Sequence, residues 1–328
     1  MTQPFSVASV TVATNAARML PRQLEALKGQ SHKIDEIVIV DNASSDGTVE
    51  MLATRYPDVK VLRLPKNAGV GGGYAAGLNY TALDRKHRWT WLLDDDSVPP
   101  HDGLQNLLAG LRHVAEGTAE PVVLAPVCMH SGTSVCFPGM LWQGGRLVSK
   151  LGDPNEALTF VDCVISSGSL IHQDAVVAVG LPRADFFMDF VDFEYCLRIR
   201  RHGLFIAIVR DSVLEHEIGA LTAINILGWK KYWADHAPWR EYYMARNETF
   251  TMWQDDRKLL TKGFTMYRLT RHAIGILLFG KQKWACLSKQ CCGFLDGRAG
   301  RLGIRFLPGS AKDHGTASAK SETDFFRP

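Results

Sequence analysis

Three adjacent carboxylates, Asp94, Asp95 and Asp96, close the apolar run Trp89-Thr-Trp91-Leu-Leu. Like charges in a row repel, so the triplet is either a solvated turn or a site for a hard cation. Oxygen ligands of this kind suit Mg2+ or Mn2+, which completes its shell with substrate phosphates. Strand alternation predicts that Asp94 and Asp96 face one side and Asp95 the other. A second acid, Asp192, lies in Phe190-Val191-Asp192-Phe193-Glu194, where a loop turns into an amphipathic helix that Gly203 closes. A carboxyl held among apolar neighbours has its pKa set by desolvation, as a general base requires; capping the helix is the plainer role. His216 follows the strand-like run from Leu204 to Val209 and stands between Glu215 and Glu217, which makes it a candidate third metal ligand.

Parallel β-α-β units are predicted to position these groups. Short β-branched runs at Phe5 to Ala13, Glu36 to Val40, Val59 to Leu64, Trp89 to Leu93 and Val122 to Val127 alternate with helical patterns at Met19 to Leu27, Thr48 to Thr54, Tyr74 to Leu83 and Leu104 to Val114. Near-continuous apolar strands such as Ile37-Val-Ile-Val fit a sheet covered on both faces. Such sheets bind ligands beyond the carboxyl ends of their strands. There the sequence places Thr14 and Asn15, Asp41 to Gly47, Asn67 and Gly69, and the acidic triplet. The run Gly69-Val-Gly71-Gly72-Gly73 could turn backbone N–H groups toward a phosphate. It is neither a dinucleotide fingerprint, since Tyr74 stands where the third glycine belongs, nor a P-loop.

The 328 residues, 46% hydrophobic and 22% charged, make an ordinary globular chain and exclude collagen, coiled coil and general disorder. Seven cysteines without a Cys-x-x-Cys pair argue against a disulfide framework or a structural zinc. The N-terminus lacks a basic segment ahead of an apolar run, and no apolar stretch spans a bilayer, which predicts a cytoplasmic protein. Neither a Gly-x-Ser-x-Gly elbow nor a His-Glu-x-x-His pair is present, so hydrolase readings find little support. The net charge of +3 hides an asymmetry: from Arg257 to Arg305 the chain carries eleven Lys or Arg and one acid, Asp296. That segment is a candidate surface for an anionic partner.

Taken in order, the strand-end residues resemble the inverting nucleotide-sugar glycosyltransferases of family 2, which have the GT-A fold. The resemblance runs from about Ser6 to Asn247 and is nearest to bacterial galactofuranosyltransferases and rhamnosyltransferases. It is carried by Thr14-Asn15, Val40-Asp41-Asn42-x-Ser-x-Asp46-Gly, Asn67-x-Gly69, the triplet, Ser167-Gly168-Ser169, Asp192-x-Glu194-x-x-Leu-Arg198, His216 and Arg240-x-Tyr242-Tyr243-x-x-Arg246-Asn247. It implies an α/β fold with a mainly parallel mixed sheet and a nucleotide-diphosphate sugar as donor. Thr14, Asn15, Asp41, Asn67, Gly69, Asp94 and Asp95 would bind that donor, Asp94, Asp96 and His216 would hold Mn2+ or Mg2+, and Asp192 would act as base. Glu194, Trp142 and Arg246 would contact the acceptor or support the site. Where galactofuranosyltransferases often carry Trp-Asp-Asp this chain has Phe190-Val191-Asp192, and where rhamnosyltransferases commonly have a non-acid in mid-triplet it has Asp95; the sugar stays open.

The implied domains are a catalytic unit over 1–247, divided near residue 130 into donor and acceptor halves, a basic helical region over 248–308, and a disordered tail over 309–328. In the basic region Leu259, Leu260, Phe264, Tyr267, Ile274, Leu277 and Leu278 recur near helical spacing among Lys262, Arg268, Arg271, Lys281 and Lys283. Two outcomes fit this pattern: packing on the catalytic unit, or peripheral attachment to an anionic membrane where a glycan or lipid-linked glycan acceptor is extended. A sugar-nucleotide pyrophosphorylase would need a glycine-rich basic loop after the first strand, which Thr14-Asn-Ala-Ala-Arg18 lacks. A carbohydrate- or nucleic-acid-binding module would leave the acidic triplet unexplained.

Overall fold

The structure, a computed structural model, describes residues 6–308 apart from 115, 118, 131–135, 151–155, 217–220, 227–228 and 254–258. The expected tail over 309–328 lies outside the described residues. The strands are β1 (Val7–Ala13), β2 (Glu36–Asp41), β3 (Lys60–Arg63), β4 (Trp89–Asp94), β5 (Pro121–His130), β6 (Cys136–Phe137), β7 (Gly139–Gln143), β8 (Arg146–Lys150), β9 (Leu158–Val161), β10 (Leu170–His172), β11 (Phe205–His216), β12 (Leu221–Ile226) and β13 (Trp229–Ala234). The helices are α1 (Leu20–Lys28), α2 (Thr48–Arg55), α3 (Gly69–Leu78), α4 (Gly103–Gly110), α5 (Gln173–Val179), α6 (Val191–Arg201), α7 (Pro238–Trp253), α8 (Leu259–Phe279) and α9 (Lys283–Arg298).

Nine strands form one mixed sheet in the order β3-β2-β1-β4-β10-β5-β11-β9, with β6 beside β5. β1, β2, β3 and β4 are mutually parallel, β10 runs antiparallel between β4 and β5, and β11 is parallel to β5. Strand period two divides the core. Val10, Val12, Val38, Val40 and Leu92 pack under α3, α5 and α6, whereas Ile39, Trp91 and Leu93 pack under α1, α2 and α4. The strand order reverses between β1 and β4, so the ends of these strands open the crevice in which such sheets take ligands.

Two expectations need correction. α3 begins at Gly69 rather than Tyr74 and continues into a π-helical stretch over Asn79–Asp84. Its glycines are explained by contact, since a Cβ on Gly73 or Gly77 would lie 2.4 or 2.3 Å from a Val12 or Val10 methyl carbon. Moreover, α7 runs unbroken through the division expected after residue 247. The basic region is built into the molecule, because Gly293 and Gly297 bring α9 against α7 so closely that a Cβ on either would meet the carbonyl of Tyr242 or Arg246 at 2.3 Å.

Gly77→Val is expected to push α3 off β1 and lower stability by about 1–3 kcal/mol, the usual range for overpacking. Urea unfolding measures this; a wild-type midpoint would mean that α3 does not rest on β1 as described.

Candidate active site

The acidic turn is fixed from behind. Gln23 of α1 is buried; it donates through Nε2 to the carbonyls of Asp94 and Ser97 at 2.5 and 2.7 Å and accepts from Thr11 Oγ1 at 2.9 Å. β4 ends at Asp94, and Asp95 and Asp96 lie in a turn closed by Ser97 N–H on the Asp94 carbonyl. Strand alternation therefore does not set their directions, contrary to the sequence expectation. Tyr74 donates its hydroxyl to Asp94 Oδ1 at 2.6 Å, and Thr14 N–H donates to Asp95 Oδ2 at 3.3 Å. Burial, reinforced by the charges of Asp96 and Asp94 and opposed by the Thr14 hydrogen bond, pushes the Asp95 carboxyl up to about 6.

Asp192 faces the same crevice. An open cleft is lined by Asp94, Ser166, Asp189, Asp192, Arg240 and Arg268, among others. Asp192 lies in the first turn of α6, and its Oδ1 accepts the Phe193 N–H at 2.8 Å. Phe190, not Asp192, occupies the N-cap position. Apolar packing by Leu92, Val123, Val164 and Tyr195 lies behind it. Desolvation, with the charges of Asp189 and Asp94 nearby, pushes the Asp192 carboxyl up to about 7.

The loop that delivers Asp192 is unusual. Phe187, Asp189 and Phe190 all have positive φ, at 66°, 58° and 64°, a conformation that costs non-glycine residues roughly 1–3 kcal/mol each. α7 holds the loop in place. Arg240 forks onto the Asp189 carboxylate at 2.9–3.2 Å. Asn247 Nδ2 donates to the carbonyls of Phe186, Met188 and Asp189, and Arg246 donates to those of Asp185 and Phe186.

At the other end of the crevice, strand-end residues form a polar rim. Asn15, with φ 53°, receives Ser45 N–H on Oδ1 and donates its own N–H to Ser44. Asp41 is fully buried; Oδ1 accepts Ser44 N–H at 3.2 Å, while Oδ2 has Arg63 at 3.7 Å, beyond hydrogen-bond reach, and no hydrogen-bond partner among the described residues. Asn42 and Asn67 bind each other at 3.0 Å and take the N–H groups of Ala68 and Gly69. The glycine run makes no phosphate cradle: Gly69, Gly71 and Gly72 N–H groups are occupied by Asn67, Phe187 and Ala68.

Other expected residues are placed away from the cleft. Glu194 is buried and gives both oxygens to Arg198 at 3.1 and 2.9 Å. Trp142 lies on β7, donates its N–H to Asp162 and packs against the core. Arg246 is fully buried beneath the loop, which is support rather than acceptor contact. The backbone of His216 ends β11 opposite His130; its side chain lies outside the described residues. Gln23, Tyr74, Asp189 and Arg240 are the positioning groups that the candidate residues omitted. Arg240 stood in the quoted pattern and Tyr74 directly behind the glycines, but no local signal ties Gln23 to the acidic turn.

No group of three His, Cys, Asp or Glu forms a metal cage among the described residues. The donor set still fits Mg2+ or Mn2+, which needs one or two carboxylates when phosphates supply the rest of the shell. Burial is the main cause of the raised Asp95 carboxyl, and the neighbouring charges of Asp96 and Asp94 add to it; a divalent cation would offset that added repulsion.

Comparison with known proteins agrees with this geometry. The family model described as glycosyl transferase family 2 matches residues 9–118. The chain is 30% identical over 279 residues to the galactofuranosyltransferase GlfT1 of Mycolicibacterium smegmatis, covering 79% of this chain and 87% of that protein. It is 25% identical over 272 residues to the dTDP-rhamnosyl transferase RfbF of Shigella flexneri, covering 81% and 87%. Among solved structures, S. aureus TarS 1-349 in complex with UDP-GlcNAc superposes with a TM-score of 0.56 at 15% identity, covering 89% of this chain and 81% of that one. GalNAc-T7 with UDP, GalNAc and Mn2+ gives 0.58 at 14%, covering 91% and 57%. These two show the shared fold.

Two outcomes test the loop and its acid. Asn247→Ala strands buried carbonyls and is expected to cost about 1–3 kcal/mol in urea unfolding. For Asp192, the folded carboxyl at about 7 stands above its ordinary value of 3.8. Between those values the folded chain binds more protons than the unfolded one, so this group's contribution to stability falls as pH rises. Asp192→Asn removes that dependence, so the substituted protein gains stability relative to wild type on going from pH 4 to pH 8. An equal difference at both ends would mean that Asp192 is not desolvated.

Proposed function

The chain belongs to glycosyl transferase family 2, and from that membership we propose that it is a metal-dependent inverting enzyme that moves galactofuranose or rhamnose from a nucleotide-diphosphate donor to a growing cell-surface glycan. The sugars are those of its relatives' names. The observation that carries the reading is Asp192, poised near neutrality in the cleft that also contains Asp94.

The strand-end rim suits the nucleoside. Asp41 Oδ2 is a buried acceptor awaiting a hydroxyl or N–H donor; Asn15 is bonded to Ser44 and Ser45, and Asp46 takes the Ala17 N–H, which fixes the edge. Burying an acceptor without a donor costs about 1–3 kcal/mol, which a bound nucleoside would recover. Asp94, Asp96 and His216 would hold the divalent ion, which when bound supplies charge stabilisation to the departing diphosphate. Asp192 takes the proton of the acceptor hydroxyl as that oxygen attacks the anomeric carbon; the bond to the diphosphate oxygen breaks with its electron pair, and the configuration inverts. Arg240 keeps the base loop in register through Asp189, and Arg198 ties Glu194, two residues beyond the base. We assign the part of the cleft lined by Met188, Phe193 and Arg268 to the acceptor. A lipid-linked glycan at the inner face of the plasma membrane fits that role.

Donor hydrolysis and transfer with UDP-galactofuranose and with dTDP-rhamnose test the reading. Activity with one donor that EDTA removes is expected; activity unchanged in EDTA would take the metal out of the mechanism. Asp192→Asn is expected to lower kcat by about a hundredfold or more with donor binding nearly unchanged. A loss confined to KM would make Asp192 a binding residue instead. The wild-type rate should rise with pH through about 7 as Asp192 loses its proton. Tyr74, Asp94, Asp189, Tyr195, Cys196, Arg240, Glu248 and Arg268 are ionisable groups that line the space around that carboxyl.

A further inference from the structure

Helix α8 is built inside out. Its buried residues are Thr261, Thr265, Gly275 and Ile276, so mainly small side chains face the rest of the molecule. The side that packs is completed by His272, bonded to Glu241 at 2.8 Å, and by Arg268, paired with Glu248 at 2.8 Å. At about 100° per residue, these positions centre on one direction, and the exposed large apolar residues of the helix fall in an arc of about 120° on the opposite side. Leu259 is 88% exposed, Ile274 52%, Leu278 63%, and Trp284, at the start of α9, 79%. Tyr267 and Leu277 extend the row. An apolar row of this length turned away from the core marks a surface with a partner.

We propose that the outward face of α8, with Trp284, docks on an anionic lipid bilayer. The charges select this occupant. Arg271, Lys281 and Lys283 are exposed beside the apolar row, and Lys262 flanks it half-buried. A second copy set face to face would bring these like charges together, whereas anionic headgroups meet them with opposite sign while the acyl boundary takes the apolar side chains. Trp284, exposed at the start of α9, is the kind of side chain favoured at headgroup depth. No helix among the described residues is long and apolar enough to cross a membrane, so the contact is peripheral.

This face also deepens the lipid-linked acceptor reading and rests on it for its purpose. Arg268, on the inner side of α8, lines the catalytic cleft. A helix with its side chains is about 10 Å thick, so membrane face and cleft lie on opposite sides of a single helix. A glycan whose lipid stays in the bilayer would have that distance to cross.

Truncation is a poor test, because α9 and the segment after it hold α7 and the base loop. Point substitutions of exposed residues are the better one. The full chain is centrifuged with vesicles of phosphatidylcholine containing about a third phosphatidylglycerol, and with phosphatidylcholine alone, at about 50 and about 500 mM salt. Partitioning onto the anionic vesicles at low salt is expected, falling about tenfold or more at high salt or without phosphatidylglycerol. The triple variant Ile274→Ser, Leu278→Ser, Trp284→Ser and the variant Arg271→Gln, Lys281→Gln, Lys283→Gln should each lose about tenfold in partitioning. Both should keep wild-type donor hydrolysis in solution. Wild-type protein that stays in the supernatant at low salt overturns the proposal, as does a triple variant that sediments like wild type. A wild-type dimer that the triple variant dissolves, without vesicle binding, overturns it in favour of a contact between copies. Donor hydrolysis reads the enzymatic assignment separately: hydrolysis without partitioning removes the membrane face alone, and partitioning without hydrolysis of any sugar nucleotide removes the enzymatic reading alone.

Discussion

The site depends on a clamp that α7 applies to the loop entering α6. Three residues of that loop, Phe187, Asp189 and Phe190, sit in the left-handed region without being glycine. Left alone, the chain would relax out of that conformation and carry Asp192 away from Asp94. Arg240 prevents this by binding a side chain, and Arg246 and Asn247 by binding backbone carbonyls. The division of labour follows from shape. A guanidinium fork matches a carboxylate, and an amide N–H2 at the centre of a tight loop can reach several carbonyls that have turned inward. Arg246 is fully buried, yet its charge is matched by carbonyl dipoles and by the faces of Tyr242 and Tyr243.

A second grip on the same loop comes from α3. A Cβ on Gly69 would lie 2.0 Å from the Phe187 carbonyl oxygen, and one on Gly71 would lie 2.5 Å from that of Arg183. Gly71 N–H in turn donates to Phe187. The glycine run is therefore the place where α3 touches the loop entering α6 with nothing between two backbones. It was legible as a special loop but suggested the wrong use, since a run of glycines that frees N–H groups for a phosphate and a run that lets two chains meet look alike in one dimension.

The strand ends were the most legible part, because a buried parallel sheet imposes long apolar runs and a polar residue after such a run stands out. β1, β2 and β4 and the helices after β1 and β2 fall within a residue or two of their expected bounds. The triplet was found for the same reason, but its directions were not, because alternation is a property of strands and β4 stops at its first aspartate. The resemblance implied that Glu194 contacts the acceptor or supports the site; in the structure Arg198, four residues on, takes both of its oxygens through an i, i+4 pair that the sequence spacing already allowed. Gln23 could not be found at all. Its role arises from α1 crossing under the carboxyl end of β4, a contact between residues far apart in the chain.

The C-terminal helices show why amphipathic spacing alone does not say which way a helix faces. α8 has apolar residues at helical intervals, and packing on the catalytic unit was a fair expectation for them. The choice between faces was made by α8's neighbours: Gly275 must clear the Trp233 ring, which a Cβ would approach to 2.3 Å, and His272 and Arg268 answer Glu241 and Glu248 on α7. Once these short-range demands fix the inner face, the leucines have no side left except the outer one. α7 thus works on both of its flanks. On one it restrains the strained loop that carries Asp192, and on the other it fixes the rotation of α8, so the direction of the exposed apolar row and the direction of Asp192 are set by the same helix.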